Sequence, residues 1–573
     1  MEKNIGRFFW VLLIFLVFFS LGTDVPNEQR KGFFSDESSY FSITQSLAHD
    51  LDIKYKREDI VRIKERFPEG PVGLYLKKGK GGEITYAKPF IYPLFAAPFF
   101  RLLDTRGIFL FNGLMLFLSV WMGYRLLRKF HPPGQSLSFT LIFFFTTVTW
   151  IYLLWMTSDL FNFFILFASL FFFFYPFKNS RWFYLSGLFF PLYVLTKPTN
   201  LAAVGVLFLI LLFKKQWKRF IVLSLICLVV LMGFVLFYYQ QTGELNFKLY
   251  YGGERTAFFG QFPYETPQYD FVSSVKTSAD DYFQRFYITP EISLLNLYYY
   301  LFGRFTGMFI YFFIACFILV AFAWQQKELQ DWFILGAIAV SILVACILFA
   351  ADSYFGGSGS LGNRYFLNIF PLFFFLGFKK RHFRFLLVPI LAAAIFLSPT
   401  FMDALFHSFR PRMTGISFPV KCFPVEKTQY MHLPTNENPR GRNRDIGGQA
   451  FLYFINDNSH LLEGDSFWSV GEKEVEVLLL TAQRVKQFEI TLQNHPRKNR
   501  ARVRIEHETQ EVGIGPGLKK RLVFEHIRGL VVARGYLYHL KVKSARAYCA
   551  YFEEKNSEDK RWLGINIQIE PVY

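Results

Sequence analysis

The sequence predicts a polytopic α-helical membrane protein of about 11 spans, followed by a C-terminal all-β, sandwich-like domain. Three observations carry that expectation. Of 573 residues, 52% are hydrophobic and 75 are Phe, a surplus of large apolar side chains that a water-soluble chain does not need. Runs such as 8–22, 220–239, 308–324 and 332–351 approach or reach the roughly 18 to 20 apolar residues of a bilayer-crossing helix. Beyond residue 403 the pattern changes to strict alternation, in "ARVRIEHE" and "GYLYHLKVKS", which marks half-buried strands.

Taken in order, the expected spans are 8–22, 107–124, 136–154, 158–176, 182–196, 199–213, 220–239, 306–324, 332–351, 365–378 and 385–402. The first reads as an uncleaved signal anchor: Lys3 and Arg7 precede it, but no A-x-A-like cleavage site follows. With the N-terminus inside, the five cytoplasmic connections carry 14 Lys and Arg, while the three short outer loops carry two, Lys197 and Arg364. That asymmetry follows the positive-inside rule. It predicts a multi-pass protein of the plasma (inner) membrane, with a cytoplasmic N-terminus and an extracytoplasmic C-terminal domain. It also accounts for much of the net charge of +19 without a nucleic-acid partner.

The chain then divides into a helical region, 1–402, with outer loops at about 23–106 and 240–305, and an extracytoplasmic β-rich region, 403–573. From residue 404 onward there are 26 basic and 19 acidic residues, so the tail is a mildly basic folded module. In "ARVRIEHE", Val503 and Ile505 share one face while Arg502, Arg504 and Glu506 share the other; "GIGPG" supplies a turn. Cys227, Cys316 and Cys346 fall in apolar spans. Cys422 and Cys549 fall in the tail, where a disulfide and two free thiols are both open readings.

The chemistry-bearing residues cluster at span ends. In "GFFSDESSYFSIT", Asp36 and Glu37 follow Ser35, and apolar residues recur at Tyr40, Ile43, Leu47 and Leu51. The spacing predicts an amphipathic helix with Ser35 as N-cap. Acids in its first turn would offset the helix dipole, a contribution of about 0.3–1 kcal/mol, and that alone would explain them. Asp159, in "WMTSDLFNFF", lies in a short outer hairpin and could equally cap the next helix. Lys88, in "YAKPFIYP", could be a lysine snorkelling to the membrane surface. Arg364 opens a span after the glycine-rich "GGSGSLGN", where glycines permit close backbone approach and a guanidinium fork suits a phosphate. These residues come from four loops that map to one side of the membrane. Together they would offer carboxylates to take a proton and cations to hold an anion whose apolar part lies in the bilayer.

An acid pair after the first span, "DESSYFSIT", then "KPFIYPLFAAPFF", "TSDLFNFF" and "NRYFLNIFPLFFF", resembles the GT-C superfamily of integral membrane glycosyltransferases over about residues 1–402. The branch it is most similar to contains lipid A aminoarabinose transferases and protein O-mannosyltransferases. The resemblance implies an enzyme that moves a sugar from a polyprenyl-phosphate donor to an extracytoplasmic acceptor (lipid, glycan or protein), with inversion. It implies Asp36 as the acid that acts as general base or orients the acceptor, with Glu37 beside it, and Asp159 in the second acidic position, which helps bind the acceptor or a metal. It implies Lys88 and Arg364 as lipid-phosphate ligands, with Arg255 and then Arg304 as weaker candidates. Some members hold a divalent metal. Here Asp36 and Asp159 would be its ligands if one binds, but His49 is the only nearby histidine. Two adjacent carboxylates also raise one another's proton affinity, which would suit a base.

Other readings remain open from the sequence: a transporter or flippase of lipid-linked sugars, a polymerase or ligase of surface polysaccharide, or a membrane scaffold with a glycan-binding tail. Transporters usually place polar groups at the membrane midplane, whereas the acids here gather at one side.

Overall fold

The computed structural model describes residues 2–23, 36–78, 83–243, 256–258, 289–348, 353–357, 359–381, 383, 385–434, 444–445 and 450–573. Arg255 and the expected cap Ser35 lie outside the described residues.

The architecture is that of a polytopic helical membrane protein with a β domain. Four described helices are long and apolar enough to cross a membrane: Asn4–Gly22, Thr105–Leu127, Trp217–Thr242 and Leu329–Ile347. Shorter apolar helices pack among them, including Ile91–Leu103, Asp159–Phe174, Phe313–Ala323 and Leu387–Met402. The Trp217–Thr242 helix keeps most of its side chains on the outside of the protein, whereas Asp159–Phe174 is enclosed. The Phe surplus fills the interior between helices. Phe143 stacks on Phe370 with ring centroids 4.2 Å apart, and Phe374 meets Phe139, Phe143 and Phe167.

Several expected spans are not continuous helices. The 136–154 span is Pro133–Phe145 followed by a 3-10 turn, Val148–Leu154, bent by 60°. Two threonines account for the break. Thr146 donates its hydroxyl back to Ile142 O (2.7 Å), and the Thr147 hydroxyl accepts from Thr149 N (3.3 Å), a local bonding that competes with the helix. The 365–378 span breaks into Arg364–Ile369 and Pro371–Phe375, because Pro371 has no N–H to continue the ladder. The 306–324 span breaks at Phe312. Conversely, both regions expected as outer loops contain an apolar helix, Ile91–Leu103 just after Lys88 and Pro290–Phe302.

The two loops also share a sheet. Strands β1 (Leu74–Lys78) and β2 (Ile84–Tyr86) form a hairpin from the first, and β3 (Thr256–Phe258) from the second pairs antiparallel with β1. Behind β1 lies the helix Asp36–His49. It is buried on every side from Ser38 to Leu47 rather than amphipathic, and Leu51 is exposed in a left-handed turn beyond its end. Its serines join it to β1: Ser38 donates to Val72 O (2.9 Å) and Ser39 accepts from Tyr75 N (3.0 Å).

The tail folds into two antiparallel sheets built from β4 (Arg444–Asp445), β5 (Ala450–Phe454), β6 (Ser466–Val470), β7 (Glu474–Thr481), β8 (Gln487–Asn494), β9 (Asn499–Ile505), β10 (Glu508–Ile514), β11 (Lys519–Glu525), β12 (Leu530–Val532), β13 (Gly535–Ser544) and β14 (Leu563–Val572). One sheet runs β10-β9-β13-β7-β5-β4, with β12 paired to β13, and the other β11-β8-β14-β6. Strand β9 buries Ala501, Val503 and Ile505 and exposes Arg500, Arg502 and Arg504. Strand β7 is buried on both faces. Its Val475, Val477 and Leu479 enter the sandwich core, while Leu478 and Leu480 join the core of the helical region, so its sequence reads as a continuous apolar run rather than an alternation.

Candidate active site

Four separate segments bring their charges together. Asp36 begins its helix with one carboxylate oxygen on Lys88 Nζ (2.7 Å) and the other on Arg364 Nη2 (2.7 Å). Arg364 Nη1 lies 3.7 Å from Asp159 Oδ2, and Lys197 Nζ lies 3.4 Å from Asp159 Oδ1. Glu37 follows Asp36 in the same turn and is half-buried. The result is a cluster of carboxylates laced by three cations, one of which, Lys197, the sequence reading did not assign to the site.

Each position has a local cause. Asp159 is the first residue of its helix, where the dipole favours an anion, and it accepts from Thr157 Oγ1 (2.9 Å). The next residue back, Ser158, donates to the Tyr40 hydroxyl (3.1 Å), tying this helix start to the Asp36 helix. Lys88 lies over the Tyr75 ring (4.2 Å) and Lys197 over the Tyr365 ring (4.0 Å), cation–π contacts that hold ammonium groups without neutralising them. Arg364 starts its helix behind the Asn363 cap, which accepts from Tyr365 N and Phe366 N. Its guanidinium crosses the backbone of Gly356, where a Cβ would lie 2.1 Å from Arg364 Nε and where φ is +103°. Only glycine leaves that path open. Arg364 Nε is itself buried without a hydrogen-bond partner among the described residues.

Electrostatically, Asp36 is the opposite of a carboxyl primed by a neighbouring acid. Burial pushes its proton affinity up, but the Lys88 ammonium and Arg364 guanidinium outweigh burial and hold it well below the usual carboxylate range. Burial pushes Lys197 down to about 8, although Asp159 pulls the other way. The cluster is partly open: the side chains of Asp36, Lys88, Arg364 and Lys197 are 19%, 14%, 13% and 20% exposed.

A divalent metal does not suit this donor set. Both oxygens of Asp36 face cations, Asp159 faces Arg364 as well and also Lys197, and the described residues hold no group of three His, Cys, Asp or Glu that could bind a metal. His49 is at the far end of the Asp36 helix against Arg101, roughly 20 Å from Asp36 at 1.5 Å per residue.

Arg304 is not part of the cluster. It is buried in a bidentate pair with Glu476 of β7 (2.6 and 3.1 Å), and so joins the helical region to the β domain. Cys422 and Cys549 are free thiols, the first exposed and the second buried. The cue for Lys197 lay in the sequence, since it and Arg364 are the two basic residues of the short outer loops; a Lys-Pro at a helix end had no distinguishing pattern.

Fold and site together define a multi-pass helical membrane protein with a partly open ion cluster at one end of its helices. No protein-family model matches the chain, and no curated protein does. Among solved structures it is similar to ArnT from Cupriavidus metallidurans bound to undecaprenyl phosphate, with 13% identity over 70% of this chain and 65% of that one at a TM-score of 0.44. It is similar also to the same protein in the apo state, with 14% identity, 70% and 62% coverage and a TM-score of 0.41. The chain thus spans somewhat less than two thirds of the ArnT length, and the chemistry is argued from the site alone.

Proposed function

We propose that this protein is a membrane glycosyltransferase of the GT-C type, which transfers a sugar from a polyprenyl-phosphate donor to an extracytoplasmic lipid, glycan or protein. The observation that carries the reading is the pairing of Asp36 with Lys88 and Arg364, a buried base held by two cations that a phosphate would attract.

The three cations Lys88, Arg364 and Lys197 bind the donor phosphate. As they turn toward it, Asp36 loses the charges that hold its proton affinity down, and its burial then raises that affinity. Donor binding therefore converts a poor base into a useful one. Asp36 takes the proton from the acceptor hydroxyl or amine, and the acceptor's lone pair forms the new bond to the anomeric carbon. The anomeric carbon–oxygen bond breaks on the opposite face, so the centre inverts, and the phosphate departs with the electron pair. The cations face more charge after that cleavage than before it, and so stabilise the transition state over the ground state. Asp159 keeps Arg364 and Lys197 in place. No step requires a metal.

The assay is lipid analysis and turnover on purified protein in native lipid. Asp36→Asn retains the co-purifying polyprenyl-phosphate lipid, identified by mass spectrometry, and loses transfer; Arg364→Ala loses the lipid. Full turnover by Asp36→Asn sinks the assignment of the base, and sugar crossing the bilayer without transfer to any acceptor favours a flippase. A reporter fused after residue 573 is active outside the cytoplasm; activity only inside would overturn the topology.

A further inference from the structure

A cavity of about 1010 Å³ opens between the segment that follows the last apolar helix and the β domain. One wall is the stretch around Lys421 and Pro424, with Tyr299 and Arg304; the other is the polar face of β9 and β13 together with Glu474 and Glu476 at the start of β7. Its size is at the upper end of the roughly 300–1,000 Å³ typical of small-molecule sites, which is too large for a single monosaccharide and suits an oligomer.

The sheet face that lines it is built against its own stability. Strands β9 and β13 pair with Arg504 directly opposite Lys541 and Arg502 directly opposite Lys543. Like charges in opposed cross-strand positions destabilise a sheet. Part of that cost is offset. Lys541 meets Glu476 (3.0 Å) and Glu474 (3.6 Å) on β7, and Arg502 pairs with Glu511 on β10. The other acids of the cleft are also engaged, Glu506 by Lys427 and Asp457 by Arg412. What remains is uneven. Arg504, Lys543, Lys473 and Lys421 are exposed and make no ion pair among the described residues, against a single unpaired acid, Glu472. Lys421 faces the other three from the opposite wall, so positive charge lines both sides of the cleft.

From this geometry we infer that the cleft binds an acidic oligosaccharide, whose carboxylate or phosphate groups engage Arg504, Lys543, Lys473 and Lys421. Guanidinium and ammonium groups are the side chains that recognise such anions, and Arg504 and Lys543, the members of the two opposed pairs on β9 and β13 that lack an acid partner among the described residues, gain a counter-charge when an anion sits beside them. A flat lipid surface does not enter a concave cleft walled on two sides. The choice of a saccharide over another polyanion rests on the glycosyl-transfer reading; the binding measurement does not.

The test is calorimetric titration of the full-length protein in nanodiscs with oligogalacturonate, with a neutral dextran oligomer and with inorganic polyphosphate. Oligogalacturonate binds and the dextran oligomer does not. The Arg504→Ala/Lys543→Ala double variant binds at least tenfold more weakly, while its melting temperature stays level or rises because the like-charge opposition is gone. Lys421→Ala, on the other wall and outside any strand, weakens binding in the same direction. Equal binding of dextran, unchanged affinity in the variants, or binding of polyphosphate alone overturns the inference. Because turnover is not read, a negative result leaves the transfer reaction standing, and retained transfer by Asp36→Asn leaves this cleft standing.

Discussion

The protein buries two acids among cations, and treats them differently. Glu476 is 6% exposed and its partner Arg304 3%; the pair is bidentate, and His539 Nε2 (2.8 Å) and Lys541 (3.0 Å) complete the shell. Asp36 is 19% exposed, with single contacts to Lys88 and Arg364 and an idle Arg364 Nε beside it. In both, burial works against the charged carboxylate and the cations more than reverse it, so each is held well below the usual range. Electrostatics alone therefore does not tell a joint from a site. The difference lies in saturation and access. A saturated, doubly bonded pair has little left to offer a ligand even where it borders a cleft, whereas a more exposed, singly bonded one can exchange its protein partners for a substrate.

That contrast is broken most directly by neutralising each acid. Asp36→Asn is expected to lower transfer by about 10²- to 10⁴-fold, the range for loss of a positioned base, with the protein accumulating in the membrane at normal levels; turnover and immunoblotting of membranes check both halves. A variant that loses its fold instead would make Asp36 a second joint. The next effect in size is on stability. Arg304→Ala leaves Glu476 buried with fewer partners, and such a break costs about 3–5 kcal/mol. Denaturation in detergent should show the β domain losing protection, and Arg304→Met/Glu476→Leu should restore much of it. If Arg304→Ala lowers transfer while the melting curve is unmoved, the two clusters share one function.

Part of this was legible in the sequence, and the reasons divide cleanly. Long apolar runs announced the helical region, and alternation in β9 and β13 announced the sandwich, because both patterns report burial directly. Breaks within spans were invisible, since Thr146, Thr147 and Pro371 act through local bonds that hydropathy averages away. At the site, Asp36, Lys88, Asp159 and Arg364 could be named because a charge at the end of an apolar run is conspicuous. Arg304 had the same appearance and a different fate. Its partner Glu476 is 172 positions away, and no local pattern records such a pairing. The supposed mutual effect of Asp36 and Glu37 likewise gave way to cations supplied by other segments.

The smallest expected effect sharpens the contrast furthest, because it asks whether the open cluster titrates. Burial holds Lys197 near 8, below its unfolded value, so the ammonium is present below about pH 8 and is lost as pH rises through it. On the proposed reading, the Lys197 ammonium stabilises a bound phosphate only while it is charged. The KM for the lipid-linked donor should therefore rise severalfold between pH 7 and pH 9 with kcat less affected. Lys197→Gln should show the high KM at every pH, because the group that titrates is gone, and Lys197→Arg should keep the low KM through pH 9, because a guanidinium does not deprotonate there. Around the Arg304–Glu476 pair burial lowers the His539 imidazole below its ordinary value and raises Glu426, which accepts from Phe305 N and Thr306 N beside Arg304, to about 7; a titration there should appear in the melting curve and leave the donor KM unchanged. A donor KM that is flat from pH 7 to 9 in the unaltered protein would mean that Lys197 holds Asp159 in place without touching phosphate, which would leave Lys88 and Arg364 to bind the donor alone.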